Sequence, residues 1–354
     1  MPRSAAPTRR ARIAVAIVIG LAWGWAIYVT YIGVTTPTGA RRMPGDWLSH
    51  FRAARALLDG HDPYSVVRAV GSYPWSTNYL YPLPAALVAI PFAALPIPWG
   101  AAVFVGASAA GLAYLVTERA WWPLWLFASS CYLWAAFTGQ YSPLLVSAAL
   151  VPALSGLLVL KPTVGLALAA YRPSRWLVVG AAGVCGVALL VDPMWIRSWL
   201  DAVGTSPMRE QYRPTLLTSA GPLLAFALLR WRRPEARLLF ALACVPTNHF
   251  FYDQLALFLI PRRWWEAAGL AALSYVASMF FAPASPTGMP AAAAAAAFAP
   301  PVIALLYLPC LVMVLARPNV GALPPWLERL VATLPAWLRG EAACPGATTV
   351  RPVS

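Results

Sequence analysis

Residues 9–34 read RRARIAVAIVIGLAWGWAIYVTYIGV: three arginines within four positions, then an apolar run that no charged side chain interrupts. A run of roughly 20 apolar residues matches the thickness of a bilayer's hydrocarbon core. It is too long for the apolar region of a signal peptide and is followed by no clear small-residue cleavage site, so an uncleaved first membrane span is expected. Working outward from it, similar runs recur through most of the chain. The protein has 354 residues, 60% hydrophobic and 11% charged, with a mean hydropathy of +0.65, whereas soluble domains carry about 25% charged residues. Inside lipid every backbone polar group must be paired internally, which leaves helices or a closed barrel. The runs are continuous rather than alternating, so the expected fold is an all-α polytopic transmembrane helical bundle.

The net charge of +14 would point to nucleic acid in a soluble protein. Here its placement excludes that reading. Arginines cluster in short links between apolar runs: Arg9, Arg10 and Arg12, then Arg172 and Arg175, then Arg230, Arg232, Arg233 and Arg237, then Arg262 and Arg263, then Arg317. That is the bias of cytoplasmic loops, and it puts the N-terminus (residues 1–12) inside. The transmembrane domain is expected over 13–316 and a C-terminal tail over 317–354. Five cysteines show no paired spacing. Cys131, Cys185, Cys244 and Cys310 fall in apolar runs and read as small buried hydrophobes. No metal-ligand spacing or redox motif is present.

With the N-terminus inside, the first span delivers an outer segment of about 35–81, which holds Asp46, His50, Asp59, His61 and Asp62. Within it Trp47, Leu48, Phe51, Ala54, Leu57 and Leu58 recur at helical spacing, predicting an amphipathic helix along the interface that Gly60 ends. Tyr73, Trp75, Tyr79 and Tyr81 suit a headgroup-level belt. Residues 82–95 read as a partial or re-entrant helix. From Gln140 to Arg172, about 30 residues interrupted at Pro152 and at Lys161-Pro162 should make one net inward crossing from broken pieces. A second outer loop is expected over 192–215. Residues 237–261 are too few for two full crossings and a turn, so they should form a part-way hairpin with 247–254, Asn248 included, at its tip. The alanine run 291–297 carries no chemistry. Counting gives eight or nine full spans, and about 8–11 membrane helices including broken or re-entrant ones.

Polar groups at membrane depth are expensive and each needs a reason. Lys161 is the sharpest case, the single lysine among 26 basic residues. It stands between two apolar stretches and is either a snorkelling side chain or a point charge for an anionic headgroup such as a phosphate. A helix break beside it would add free N–H groups for the same anion. Asp253, in the polar knot with His249 and Tyr252, should face a wet cavity or a cation, Lys161 itself being the structural alternative. His249 reads as a satisfied cavity histidine or a catalytic one. Asp46 is either a helix N-cap or a general base for an acceptor hydroxyl. Asp62-Pro63-Tyr64 and Gly139-Gln140 are turn-like. No phosphate-binding loop, dinucleotide fingerprint or nucleophile elbow occurs, so a sugar donor here would be a lipid phosphate rather than a nucleotide sugar.

Asp46 followed by Arg52-Ala53-Ala54-Arg55-Ala56-Leu57-Leu58-Asp59-Gly60-His61-Asp62-Pro63-Tyr64 resembles the opening of glycosyltransferase family 87. Tyr81-Pro82-Leu83 matches that family's Tyr-Pro-Pro element except at the second proline. Gly139-Gln140, Lys161-Pro162 and Tyr252-Asp253 follow in the family's order. The resemblance runs from about residue 10 to 315. It implies a bundle of the GT-C type in a bacterial inner membrane, with the active site facing the periplasm. It also implies an inverting mannosyltransferase that uses a polyprenyl-phosphate-sugar donor and a lipid or glycan acceptor. Asp46 would be the general base. The donor phosphate would sit near Lys161 and an outer-loop arginine, Arg209 or Arg213. His50, Asp62, Tyr64, Tyr81, Gln140, His249, Tyr252 and Asp253 would line the cavity and position substrate. No cofactor or metal is expected, and the partners are the donor, the acceptor and membrane lipids. The competing reading is a lipid or small-solute transporter or flippase lined by the same polar residues.

Overall fold

The computed structural model describes residues 6–33, 45–206, 209, 212–247, 249–280, 299–321, 323 and 325–333. The start of the first outer segment, part of the second, Asn248, the alanine run 291–297 and the tail beyond Thr333 lie outside the described residues.

The decisive apolar run forms α1 (Arg9–Gly33), about 37 Å long at 1.5 Å per residue. It lies antiparallel to α5 (Ile97–Val116), which follows the short α4 (Leu83–Ala93): Arg12 donates to the Tyr114 carbonyl at 2.6 Å and stands 4.3 Å over that ring. The two backbones touch where Gly20 and Gly24 meet Gly106, and a Cβ on Gly20 would come within 2.8 Å of the Gly106 carbonyl. Such small-residue seams let helices approach in lipid, where no hydrophobic force drives them together. The opposite face of α1 leaves Val18, Leu21 and Trp25 exposed, an apolar strip that suits lipid and not water.

These two helices are long and apolar enough to cross a membrane. A third crossing exists if α9 (Arg175–Val191) and α10 (Trp195–Gly204), bent by 95°, act as one span. Among the described residues two helices, or three, thus meet that length and composition, against the eight or nine full spans read from the sequence. The remaining apolar runs are short, and several are drawn into 3₁₀ helix: Trp122–Ala128, Pro152–Leu160, Gly221–Arg230 and Phe251–Leu259. A 3₁₀ helix rises about 2.0 Å per residue, so it covers more depth with fewer residues. Trp122–Ala128 joined at Ser129 to α6 (Ser130–Thr138) reaches about 28 Å in two pieces.

Residues 142–171 make three short passes, which amount to one net traverse from the Gln140 end to the Arg172 end. α7 (Ser142–Leu150) runs away from Gln140, the 3₁₀ stretch Pro152–Leu160 returns to Lys161, and α8 (Pro162–Tyr171) runs away again. Lys161 donates to Gln140 at one end and Arg172 to the Leu150 carbonyl at the other. The part-way hairpin is formed by α11 (Pro234–Cys244) and Phe251–Leu259, joined through a two-residue pairing of Arg213–Pro214 with Pro246–Thr247.

Its base is a buried ion network. Glu235 is fully buried and takes the Arg262 guanidinium, with Arg233 at 3.7 Å and Arg317 at 3.8 Å. Arg317 also pairs with Glu266 at 2.6 Å, on the first turn of α12 (Trp264–Met279). Arg237 caps α8 through the Ala170 and Tyr171 carbonyls, and Arg230 reaches the Arg317 carbonyl past the end of α13 (Ala299–Leu315). The arginine clusters thus share one end of the bundle. Removing one member of such a network strands the others, at about 3–5 kcal/mol. Glu235→Ala is accordingly expected to lower the thermal midpoint in detergent sharply; an unchanged midpoint would show the network to be idle.

Two local expectations need correcting. The helix predicted over 46–58 is α2 (Gly45–Leu58), and Gly60 ends it at φ 76. Its buried face is wider than an interfacial stripe, however, because Ser49, His50, Ala53 and Ala56 are buried too while Leu58 is exposed. Among the cysteines, Cys131 and Cys310 are buried as expected, but Cys185 is half-buried and Cys244 exposed.

Candidate functional site

Four segments far apart in the chain converge at the end of α8 remote from the arginines. α2 contributes Asp46 in its first turn. Gln140 follows α6, Lys161 sits between the 3₁₀ stretch and α8, and Asp253 opens the return arm of the hairpin. Lys161 Nζ lies 2.6 Å from Asp253 Oδ1 and donates to Gln140 Oε1 at 3.2 Å. Gln140 Nε2 in turn donates to Asp46 Oδ2. The amide is oriented by its neighbours, its oxygen toward the ammonium and its NH₂ toward the carboxylate; the flipped amide would oppose both charges. Tyr81 Oη donates to the same Gln140 oxygen at 3.3 Å. The Tyr252 ring lies under Lys161 at 4.5 Å, a cation–π contact that desolvation strengthens.

Local sequence explains these placements. A residue before proline is pushed to extended backbone, and Lys161, before Pro162, has φ −143 and ψ 87. This breaks the chain between two helices and leaves the lysine at the turn. Gly139 ends α6 at φ 64, and a Cβ there would come within 2.5 Å of Trp47 Cβ. Trp47 is itself fully buried and stacks on Phe104 at 4.5 Å. Gly139 therefore turns Gln140 inward and lets α2 approach closely enough for Asp46 to meet it. Gly139→Ala would add about 1–2 kcal/mol of left-handed strain to that overlap. It is expected to lower both the thermal midpoint and any activity that needs Asp46, and a variant indistinguishable from wild type would contradict this role.

The other predicted residues divide. Tyr64 is buried and donates to the Tyr81 carbonyl at 3.0 Å, and Trp199 of α10 donates to the adjoining Leu80 carbonyl at 3.0 Å. Together they hold Tyr81. Asp62 is exposed; it caps the short helix α3 (Pro63–Val66) by accepting from the Tyr64 N–H. It supports Tyr64 and does not line the cluster. His249 adopts φ 57 and pairs with Thr215 at 3.2 Å, which fixes the loop before Asp253. Arg209 and Arg213 are exposed and make none of the contacts that tie Lys161, so the expected outer-loop phosphate partner is not assembled with it.

His50, one turn after Asp46, is fully buried, with Tyr81 at 4.3 Å and Tyr141 at 4.4 Å, and neither ring nitrogen has a hydrogen-bond partner. Burial first, and the Lys161 charge second, hold it well below the ordinary histidine range, so it is neutral. Asp46 is raised above the ordinary carboxylate range: burial dominates, Asp253 adds to it, and Lys161, Tyr252 and Gln140 pull the other way. Sequence reasoning missed Tyr212, which lies close enough to feel both carboxylates, and Tyr141, which completes the cage around His50. The signal for Tyr212 was its position between the two arginines singled out for phosphate. In chemical terms the arrangement offers a carboxylate with heightened proton affinity, a buried ammonium and a neutral imidazole lacking partners. No protein-family profile, curated protein or solved structure matches the chain.

Proposed function

We propose that the protein is a multi-pass membrane glycosyltransferase that moves a sugar, mannose in the first instance, from a polyprenyl phosphate to a lipid or glycan acceptor. The observation that carries this reading is the linkage of a base and a cation, Asp46 and Lys161, through the single amide of Gln140. The ordered motifs that resemble glycosyltransferase family 87 support it, since Asp46, Tyr81, Gln140, Lys161 and Asp253 all belong to those motifs and to this cluster. In this reading the arginine end is cytoplasmic and the cluster opens to the periplasm of a bacterial inner membrane.

The acceptor hydroxyl approaches Asp46, which takes its proton as the oxygen attacks the sugar C1. The new C1–O bond forms as the bond from C1 to the phosphate oxygen breaks on the opposite face, which inverts the configuration. The electron pair leaves with the polyprenyl phosphate. Lys161, paired with Asp253, stabilises that growing charge where water is excluded, the setting in which such stabilisation is largest. Tyr81 and Tyr252 are neutral donors beside it. His50, buried with two unpartnered nitrogens, is placed to take a sugar hydroxyl. No step is assigned to a metal.

The test is transfer of radiolabel from polyprenyl-phosphate-mannose to a cell-envelope extract by purified protein. Wild type should transfer and Asp46→Ala should not. Absence of transfer by wild type across a broad acceptor panel would turn the reading to a lipid or solute transporter with the same polar path.

A further inference from the structure

At the other end of α8 lies a cavity of about 710 Å³ that the sugar-transfer chemistry does not use. Arg119, Arg172, Arg237 and Arg262 line it, while Glu118 is the one carboxylate among the described residues of its wall. Three of these guanidinium groups already make contacts: Arg237 caps α8, Arg262 pairs with Glu235 and Arg172 donates to the Leu150 carbonyl. Arg119 and Arg172 are exposed, and Arg119 makes no ion pair among the described residues. The remaining wall is largely apolar, with Leu115, Leu126 and Phe258 among its members.

The surroundings say at what level this cavity sits. Trp121 and Trp125 are exposed within three residues in sequence of the lining residue Trp122, and Trp264 and Trp265 are exposed close after Arg262. Exposed tryptophans gather where a membrane meets water. A basic pocket between membrane helices at that level suits the phosphate of an anionic lipid, and the apolar wall would take the first part of its chains. A soluble phosphate ester would satisfy the arginines and leave that wall uncovered.

We infer that this cavity is a binding site for an anionic phospholipid, separate from the candidate active site and independent of the sugar-transfer reading. The probe is phosphatidylglycerol, titrated onto the purified full-length protein in detergent and followed by native mass spectrometry. Phosphatidylcholine and inorganic phosphate serve as parallel arms. Each arginine near a charged headgroup contributes enough for Arg119→Ala to weaken phosphatidylglycerol binding about 5-fold and Arg119→Ala/Arg172→Ala roughly 30-fold. Arg197→Ala, an exposed change on α10, should leave it unaltered. Thermal midpoints of all variants establish that each is folded; Arg119→Ala alone, which removes no ion pair among the described residues, keeps the test valid if the double variant is not. Equal binding of phosphatidylcholine would overturn the inference, as would unchanged binding by Arg119→Ala. So would equal weakening by Arg197→Ala, or competition by inorganic phosphate as strong as that of the lipid.

Discussion

Asp46→Asn is expected to reduce label transfer by about 10²- to 10⁴-fold, the usual contribution of a general base, while leaving the fold at least as stable as wild type. The asparagine oxygen can still accept from Gln140 Nε2, so geometry is kept and only the base is lost. The stability half follows from the sign of the proton affinity. Burial raises the Asp46 carboxyl above its ordinary value of 3.8, so the folded protein holds this proton more tightly than the unfolded chain. Such a group favours folding below its unfolded pKa and loses that contribution as pH rises through the folded one. Once ionised, the buried carboxylate is therefore a burden on the fold, and an amide removes it. Activity should fall as pH drops through the raised Asp46 value, since the base must be unprotonated to act. A variant that lost activity together with stability would mark Asp46 as a scaffold residue instead.

Lys161→Ala is the second large effect, and it should strike both stability and turnover. Lys161 is 8% exposed and Asp253 2%, so truncation leaves a carboxylate buried without its cation, a loss of about 3–5 kcal/mol. Transfer should fall by roughly 10²- to 10³-fold, the scale of removing one stabilising group from a developing anion. Adding Asp253→Asn to Lys161→Ala removes the stranded charge. The double variant is expected to regain most of the thermal midpoint and none of the activity. Recovery of both would reduce the lysine to a structural partner of Asp253, the plainer of the two roles its burial allows.

Much of the site was legible before any coordinates because each residue carried a local anomaly. Lys161 stood alone in apolar surroundings, Asp253 needed a cation at that depth, and Gly60 announced the end of α2. The 2.6 Å pair between Lys161 and Asp253 follows from burial cost applied twice. The role of Gly139 was not legible, since the need for it comes from Trp47, more than 90 residues away in sequence. His50 was named for the cavity only through the family resemblance, and its packing against Tyr81 and Tyr141 is what encloses it. Span counting from composition is ambiguous for a physical reason. An apolar run of nine or ten residues such as Pro152–Leu160 has the same hydropathy whether it extends as 3₁₀ helix, doubles back or crosses. Composition records the solvent, and only the partners of Gln140 and Leu150 reveal the direction of travel.

The central claim is that Asp46 serves a site opening on the side of the membrane opposite the arginine end. Single cysteines at positions 46 and 119, placed in a background with the native cysteines replaced, can be probed in sealed vesicles with a membrane-impermeant thiol reagent. The two positions should react from opposite sides, and polyprenyl-phosphate-mannose should protect position 46 alone. Reaction of both from the same side would contradict it.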